Sequence, residues 1–163
     1  MKEKMLEGKV AIVSGASYGM GQTMAELFAS EGAKVIMTAR GKEKLDEAVR
    51  QARAKGYEVS GVVADNKNLD DVKNVIQTAL DAYGDLDILI NNAAIGEQRM
   101  IDETDDEWLE HVYQTNVFGP FRFIREALKV LLPKNEGCII NISFVNGGRP
   151  FCGAAYTSSK GAI

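Results

Sequence analysis

Tyr156 and Lys160 stand four residues apart near one end of the chain. On a helix that spacing puts the phenol and the ammonium one turn apart on a single face. A free phenol ionises near pH of about 10, too high to pass protons efficiently at neutrality. A neighbouring positive charge favours the phenolate and brings proton transfer within reach. Such a pair suits the delivery of a proton to a forming alkoxide, or its removal from an alcohol. Near the other end, residues 14–21 read Ser-Gly-Ala-Ser-Tyr-Gly-Met-Gly, directly after a short apolar run that ends at Val13. Glycine at 15, 19 and 21 lets the backbone turn tightly and approach a pyrophosphate. A helix opening there adds free amides and a positive dipole end. A phosphate cradle and a Tyr/Lys pair in one chain point to nicotinamide-dependent carbonyl chemistry. Each signal alone is weak, since glycine turns that bind nothing and Tyr-x-x-x-Lys on surface helices both occur by chance.

The cradle's contacts are expected from Gly15, Ser17, Tyr18, Gly19, Met20 and Gly21. The choice of nicotinamide rests on the end of the second strand, where a carboxylate would accept from a ribose 2′-hydroxyl. This chain has Thr38-Ala39-Arg40 instead. Arg40 can pair with a 2′-phosphate as a charge-assisted fork, or be a solvated loop cation. NADP(H) is therefore predicted, with NAD(H) as the alternative. Asp65, after the third strand, can accept from an adenine amine or simply begin the next turn. Asn66, Asn91 and Ala93 join the expected cofactor set, because ligands of open parallel sheets lie beyond the strands' carboxyl ends, and Tyr156 and Lys160 are expected to touch the cofactor as well.

The bulk numbers are compatible with one globular domain over residues 1–163. Apolar residues make up 45% and charged residues 26%, and the net charge is 19 − 23 = −4. Nothing in that balance offers a footprint for nucleic acid or an anionic membrane. With one histidine (His111) and two cysteines (Cys138 and Cys152), no clustered metal-ligand set stands in the sequence. Cys138 opens an expected buried strand, so free thiols in the cytoplasm are predicted rather than a disulfide. No apolar run approaches the roughly 20 residues of a membrane span, and residues 1–9 lack a signal-peptide core.

Strand and helix patterns alternate. Strands are predicted over residues 9–14, 34–39, 58–64, 86–91 and 138–143, the last buried at Cys138 yet left as a sheet edge with its far ladder unpaired. A helix after the glycine loop presents Met24, Leu27 and Phe28 inward and ends at Gly32. Others span 42–55, with Leu45, Ala48, Val49 and Ala52 inward, and 69–83, capped by Asn68. Residues 104–107 read as a capping box opening a helix to about residue 117. A separate helix runs from Pro120 to about residue 132, ended by Pro133, and a last one starts near Ala155. Short apolar strands separated by helices imply a doubly wound, Rossmann-like α/β parallel sheet.

Taken in order, Gly15/Gly19/Gly21, Asp65, the run Asn91-Asn92-Ala93-Ala94, Asn116, Ser143 and Tyr156/Lys160 resemble a short-chain dehydrogenase/reductase of the single-domain kind, over nearly the whole chain. The resemblance implies strand order 3-2-1-4-5-6-7, a bound NAD(P), and a Ser143–Tyr156–Lys160 site. It implies too that Asn116 holds a water linking Lys160 to solvent, and that the protein is a homo-oligomer acting on a small carbonyl or alcohol. Three departures stand out. Ala94 replaces the family's glycine. Counting back from Tyr156 selects Ser143 as the catalytic serine, whereas counting forward from the strand puts Phe144 in its place. The chain is also shorter than its family, and strands six and seven are expected to be missing. Two functions follow: an oxidoreductase, or a truncated module that holds a dinucleotide and turns over poorly. At most trace activity is expected of the 163-residue chain. His111 reads as a helix-face residue, and the segment 147–152 is expected to face the substrate.

Overall fold

The computed structural model describes residues 4–145 and 153–163, so the segment expected to face the substrate, with Arg149 and Cys152, lies outside the described residues. Five strands, β1 (Val10–Ser14), β2 (Lys34–Ala39), β3 (Val59–Val63), β4 (Ile88–Asn91) and β5 (Cys138–Asn141), form one sheet in the order β3-β2-β1-β4-β5. All four pairings are parallel, with Val10 beside Lys34, Ala11 beside Ile88, Val35 beside Val59 and Ile88 beside Cys138. This is the predicted Rossmann-like sheet without a sixth or seventh strand among the described residues.

Alternation along the strands supplies two cores. Ala11, Val13, Val35 and Met37 face α1 (Gly19–Ser30) and α2 (Lys42–Ala54) through Ala25, Ala29, Leu45, Ala48 and Ala52. Val10, Ile12, Ile36 and Leu89 face α3 (Leu69–Tyr83) and α5 (Gly119–Lys134) through Val72, Val75, Ala79, Phe123 and Ala127. The α1 stripe differs from the prediction. Gly21, Ala25 and Ala29 are buried, Met24 and Phe28 pack at the core's margin, and Leu27 is exposed. The helix lies close against the sheet, so small residues rather than the bulky ones occupy its inner line. Asn68 caps α3 as expected, its side chain accepting from Asp70 N at 2.9 Å. Asn68→Ala should cost about 1 kcal/mol, read as a lower urea midpoint with unchanged slope.

Three other boundaries moved for physical reasons. β4 starts two residues late because the Asp87 carboxylate takes the Val10 amide at 2.8 Å in place of a ladder carbonyl. β5 stops at Asn141 and is largely exposed, Cys138 included, because it pairs only with β4 at the sheet edge. α4 (Asp106–Tyr113) is capped by Asp105, which accepts from Trp108 N, while the Thr104 hydroxyl donates to Met100 O. The predicted break before Pro120 is instead a π-helical segment, Gln114–Phe118, that joins α4 to α5 without leaving helical geometry. Pro120 has no N–H to offer the carbonyl four residues back, and one inserted residue absorbs that misfit. α5 also runs past Pro133 to Lys134 and closes on Asn135 at φ +49°. A proline in the last turn forfeits little, and asparagine tolerates the left-handed cap.

Candidate active site

The carboxyl ends of the strands open into one cleft of about 980 Å³. At its centre, Ser14 and Asn92 tie β1 to β4. The Ser14 hydroxyl accepts from Asn92 N (3.0 Å) and Ala93 N (3.1 Å), and Asn92 Nδ2 donates to Ser14 O (3.0 Å) and Gly15 O (3.2 Å). The glycine loop is fixed on that clamp. Gly15 has φ +66°, and a Cβ there would meet Ala93 Cα at 2.8 Å. A Cβ on Gly21 would come within 2.2 Å of Gly15 O, whereas Gly19, at φ +59°, faces open space. α1 therefore starts hard against the loop. Its N-terminal residue Tyr18 makes no side-chain cap and its first turn carries no acid, which leaves amide donors and a positive dipole end at the cleft. Ser17, Tyr18, Gly19 and Met20 line the same wall. A backbone that a Cβ would fill, with uncapped amides beside it, fits a pyrophosphate.

Arg40, Asp65 and Asn66 line the cleft beyond β2 and β3. Arg40 is exposed and makes no ion pair among the described residues. Asp65 begins a turn, its Oδ1 accepting from Lys67 N at 2.9 Å, and it also lines the cleft. Asn66 is buried under Gly119. Ala93 lines the cleft, while Asn91 lies behind it, donating Nδ2 to Asn141 Oδ1 at 2.9 Å.

The far end carries α6 (Ala154–Gly161). Tyr156 and Lys160 both line the cleft, with Lys160 Nζ 5.9 Å from the phenol ring centroid. Lys160 is buried and donates to Ile142 O at 2.6 Å, and burial pushes its ammonium below the ordinary lysine value. Ser143 and Phe144 line the cleft together. The Ser143 hydroxyl donates to Lys160 O at 2.6 Å, and the Phe144 ring stands 6.1 Å from Tyr156, tilted 60°. Asn116, fully buried within the π-helical segment, is not on the cleft wall. Its Oδ1 accepts from Ile95 N (2.8 Å), and its Nδ2 donates to Ile95 O (2.8 Å) and Ser159 Oγ (2.9 Å).

A family model described as short chain dehydrogenase matches residues 9–163. The chain belongs to that family. An oxidoreductase of Thermotoga maritima is 34% identical over 160 residues, which are 98% of this chain and 62% of the relative. Among solved structures, a short chain dehydrogenase/reductase from Burkholderia phymatum in complex with NAD gives a TM-score of 0.93 at 34% identity, covering 99% of this chain and 58% of that one. A variant of the actinorhodin polyketide ketoreductase with NADPH gives 0.91 at 31% identity, covering 94% and 60%. The chain thus spans less than two thirds of the length of these relatives.

The cleft also takes in Asn92, Thr115 and Lys44, which were not among the expected site residues. Lys44 was within reach of sequence reasoning. It lies four residues after Arg40 on the helix leaving the same strand end, and its ammonium sits 5.6 Å from the Tyr18 ring. Asn92 was accessible too, since alternation sends it to the opposite side from Asn91 at the strand end. Thr115 had no signal, because only the π-helical turn brings it to the wall. No group of three or more potential metal ligands occurs among the described residues. No helix of the described residues is long and apolar enough to cross a membrane. His111 lies outside the cleft, its ring 5.6 Å from that of Trp108.

Proposed function

We propose that this short chain dehydrogenase binds NADP(H) and exchanges a hydride between it and a small carbonyl or alcohol. The observation that carries this reading is a single cleft lined at one end by the glycine loop and Arg40, and at the other by Tyr156 and Lys160. When bound, the nicotinamide supplies the hydride in reduction and takes it in oxidation. The protein's own groups do the rest. Amides of the loop and of the start of α1 hold the pyrophosphate. Arg40 pairs with the 2′-phosphate, Asp65 and Asn66 border the adenine, and Asn91 and Ala93 support the chain beneath the dinucleotide. Tyr156 passes the proton at Oη to the developing alkoxide, and the Lys160 charge favours the phenolate left behind. Asn116 serves by fixing Ile95 and Ser159 around that phenol. Ser143 orients the substrate oxygen only after giving up its bond to Lys160 O.

One relative holds NAD and another NADPH, so the likeness supports a nicotinamide dinucleotide, and Arg40 supports NADP(H). We further propose a cytoplasmic homo-oligomer with residues 1–163 acting as one dinucleotide-binding unit. Exposed Phe118, Phe121 and Leu132 favour a second copy on that face, and the exposed free thiol of Cys138 favours a reducing compartment. A second reading, a module that binds the dinucleotide with little turnover, is favoured by the commitment of Ser143 Oγ and Lys160 Nζ to backbone carbonyls.

Fluorescence titration with NADPH and NADH tests the cofactor. Wild type should prefer NADPH, and Arg40→Asp should lose roughly a hundredfold in NADPH affinity while NADH changes little. A wild type that prefers NADH would refute the role of Arg40. Single-turnover mixing of the NADPH complex with ketones then separates the two readings. Trace or no oxidation of NADPH supports the binding module, and turnover at ordinary enzyme rates rules it out.

A further inference from the structure

We propose that Gly96 is a positioning residue for Tyr156, and that loop 95–99 is the seat on which α6 holds the phenol at the cleft. The proposal rests on the reading of Tyr156 as the proton donor. A Cβ built on Gly96 would lie 2.5 Å from Tyr156 Cδ2, 2.8 Å from Cγ and 3.2 Å from Cβ. The backbone beside Gly96 is pinned on both sides. Ile95 is held through N and O by the Asn116 amide, which also binds Ser159 one helical turn from Tyr156. One residue beyond Gly96, a Cβ on Gly153 would meet Glu97 O at 2.1 Å, and two residues further on Ala154 N donates to Arg99 O at 3.1 Å. With the loop fixed to α6 at both ends, a methyl group at 96 is relieved by moving the ring, which shifts the phenol relative to the Lys160 ammonium, 5.9 Å from the ring centroid. Gly96 does not occupy the left-handed region, so alanine there brings no backbone strain and tests the ring contact alone. By unfolded-state entropy alone the change would even stabilise.

Two measurements on the full chain test this. The first is thermal melting of Gly96→Ala, Tyr156→Ala and the double variant. Gly96→Ala should lower the midpoint by roughly 5 °C, and in the Tyr156→Ala background the same change should lose little or nothing. If Gly96→Ala alone does not fold, recovery of folding in the double variant carries the same meaning. A loss that persists without the ring overturns the proposal. The second is ultraviolet titration of the phenols, with Tyr156→Phe subtracted to isolate Tyr156. The wild-type midpoint should lie below the ordinary value of about 10, and Gly96→Ala should move it back up. An unmoved midpoint in Gly96→Ala also overturns the proposal. A wild-type midpoint already at the ordinary value instead counts against Tyr156 and Lys160 as the proton-transfer pair, while the melting cycle still decides the role of Gly96.

Discussion

Gly21→Ala will weaken NADPH binding by roughly a hundredfold, the loss of two charge-assisted phosphate contacts at about 1.5 kcal/mol each. The added carbon would sit 2.2 Å from Gly15 O and 2.6 Å from Asn92 Nδ2. Neither neighbour can yield cheaply. Gly15 is itself wedged against Ala93, and Asn92 Nδ2 is committed to Ser14 O and Gly15 O. The start of α1 must therefore back away from the loop, taking its amide donors with it. Overpacking should also lower stability by about 1–3 kcal/mol. Gly41→Ala is the matched control, because that position borders the same cleft with nothing within 4 Å and no left-handed backbone. Isothermal titration of both variants with NADPH checks the result, and equal affinities would mean that the loop does not grip the phosphates.

Asp87→Ala should cost about 3 kcal/mol of stability, the penalty for removing one partner of a buried charged network. Asp87 is 8% exposed. Its carboxylate accepts from Val10 N at 2.8 Å and Lys134 Nζ at 2.9 Å, and Lys9 Nζ stands 3.5 Å away. It thus joins the starts of β1 and β4 to the end of α5. Burial pushes the Asp87 carboxyl up, but the Val10 amide, the Lys134 ammonium and the Lys9 charge outweigh it and hold the group below its ordinary value. Between that folded value and the unfolded one of about 3.9, the unfolded chain binds more protons. The stabilisation is therefore present above the unfolded value and lost as pH falls through the folded one. Urea unfolding across the acid range should find a shallower fall in Asp87→Asn than in wild type. Parallel acid limbs would sink this account.

Much of the scaffold was legible in the residue order because it depends on local chemistry. Apolar runs with glycine at their ends gave every strand to within two residues, and α3 came out residue for residue because its stripe, its Asn68 cap and Gly84 at its end agree. The failures share one cause: they depended on what packs against what. Cys138 was expected inside although β5 was expected at the sheet edge, and that edge position leaves it exposed. Pro120 was read correctly as a helix start, but the gap expected before it is filled by a π-helical segment that keeps the helix going. Leu27 fell on a helical stripe, but closeness to the sheet reserved the inner line for glycine and alanine.

The candidate site divides the same way. By itself the residue order determined that a glycine turn follows a strand, that Arg40 rather than an acid ends the next one, and that Tyr156 and Lys160 share a helical face. These are facts of spacing and side-chain type, and backbone sterics make them binding wherever the chain goes. Only the tertiary structure decided that the two motifs, more than a hundred residues apart, open on one cleft. It decided too that the Asn116 amide spans Ile95 and Ser159, that Ser143 turns to Lys160 O, and that Gly96 lies against the phenol. Contacts between distant segments follow from how sheet and helices stack, and excluded volume in that stack leaves no mark on the pattern of any single segment.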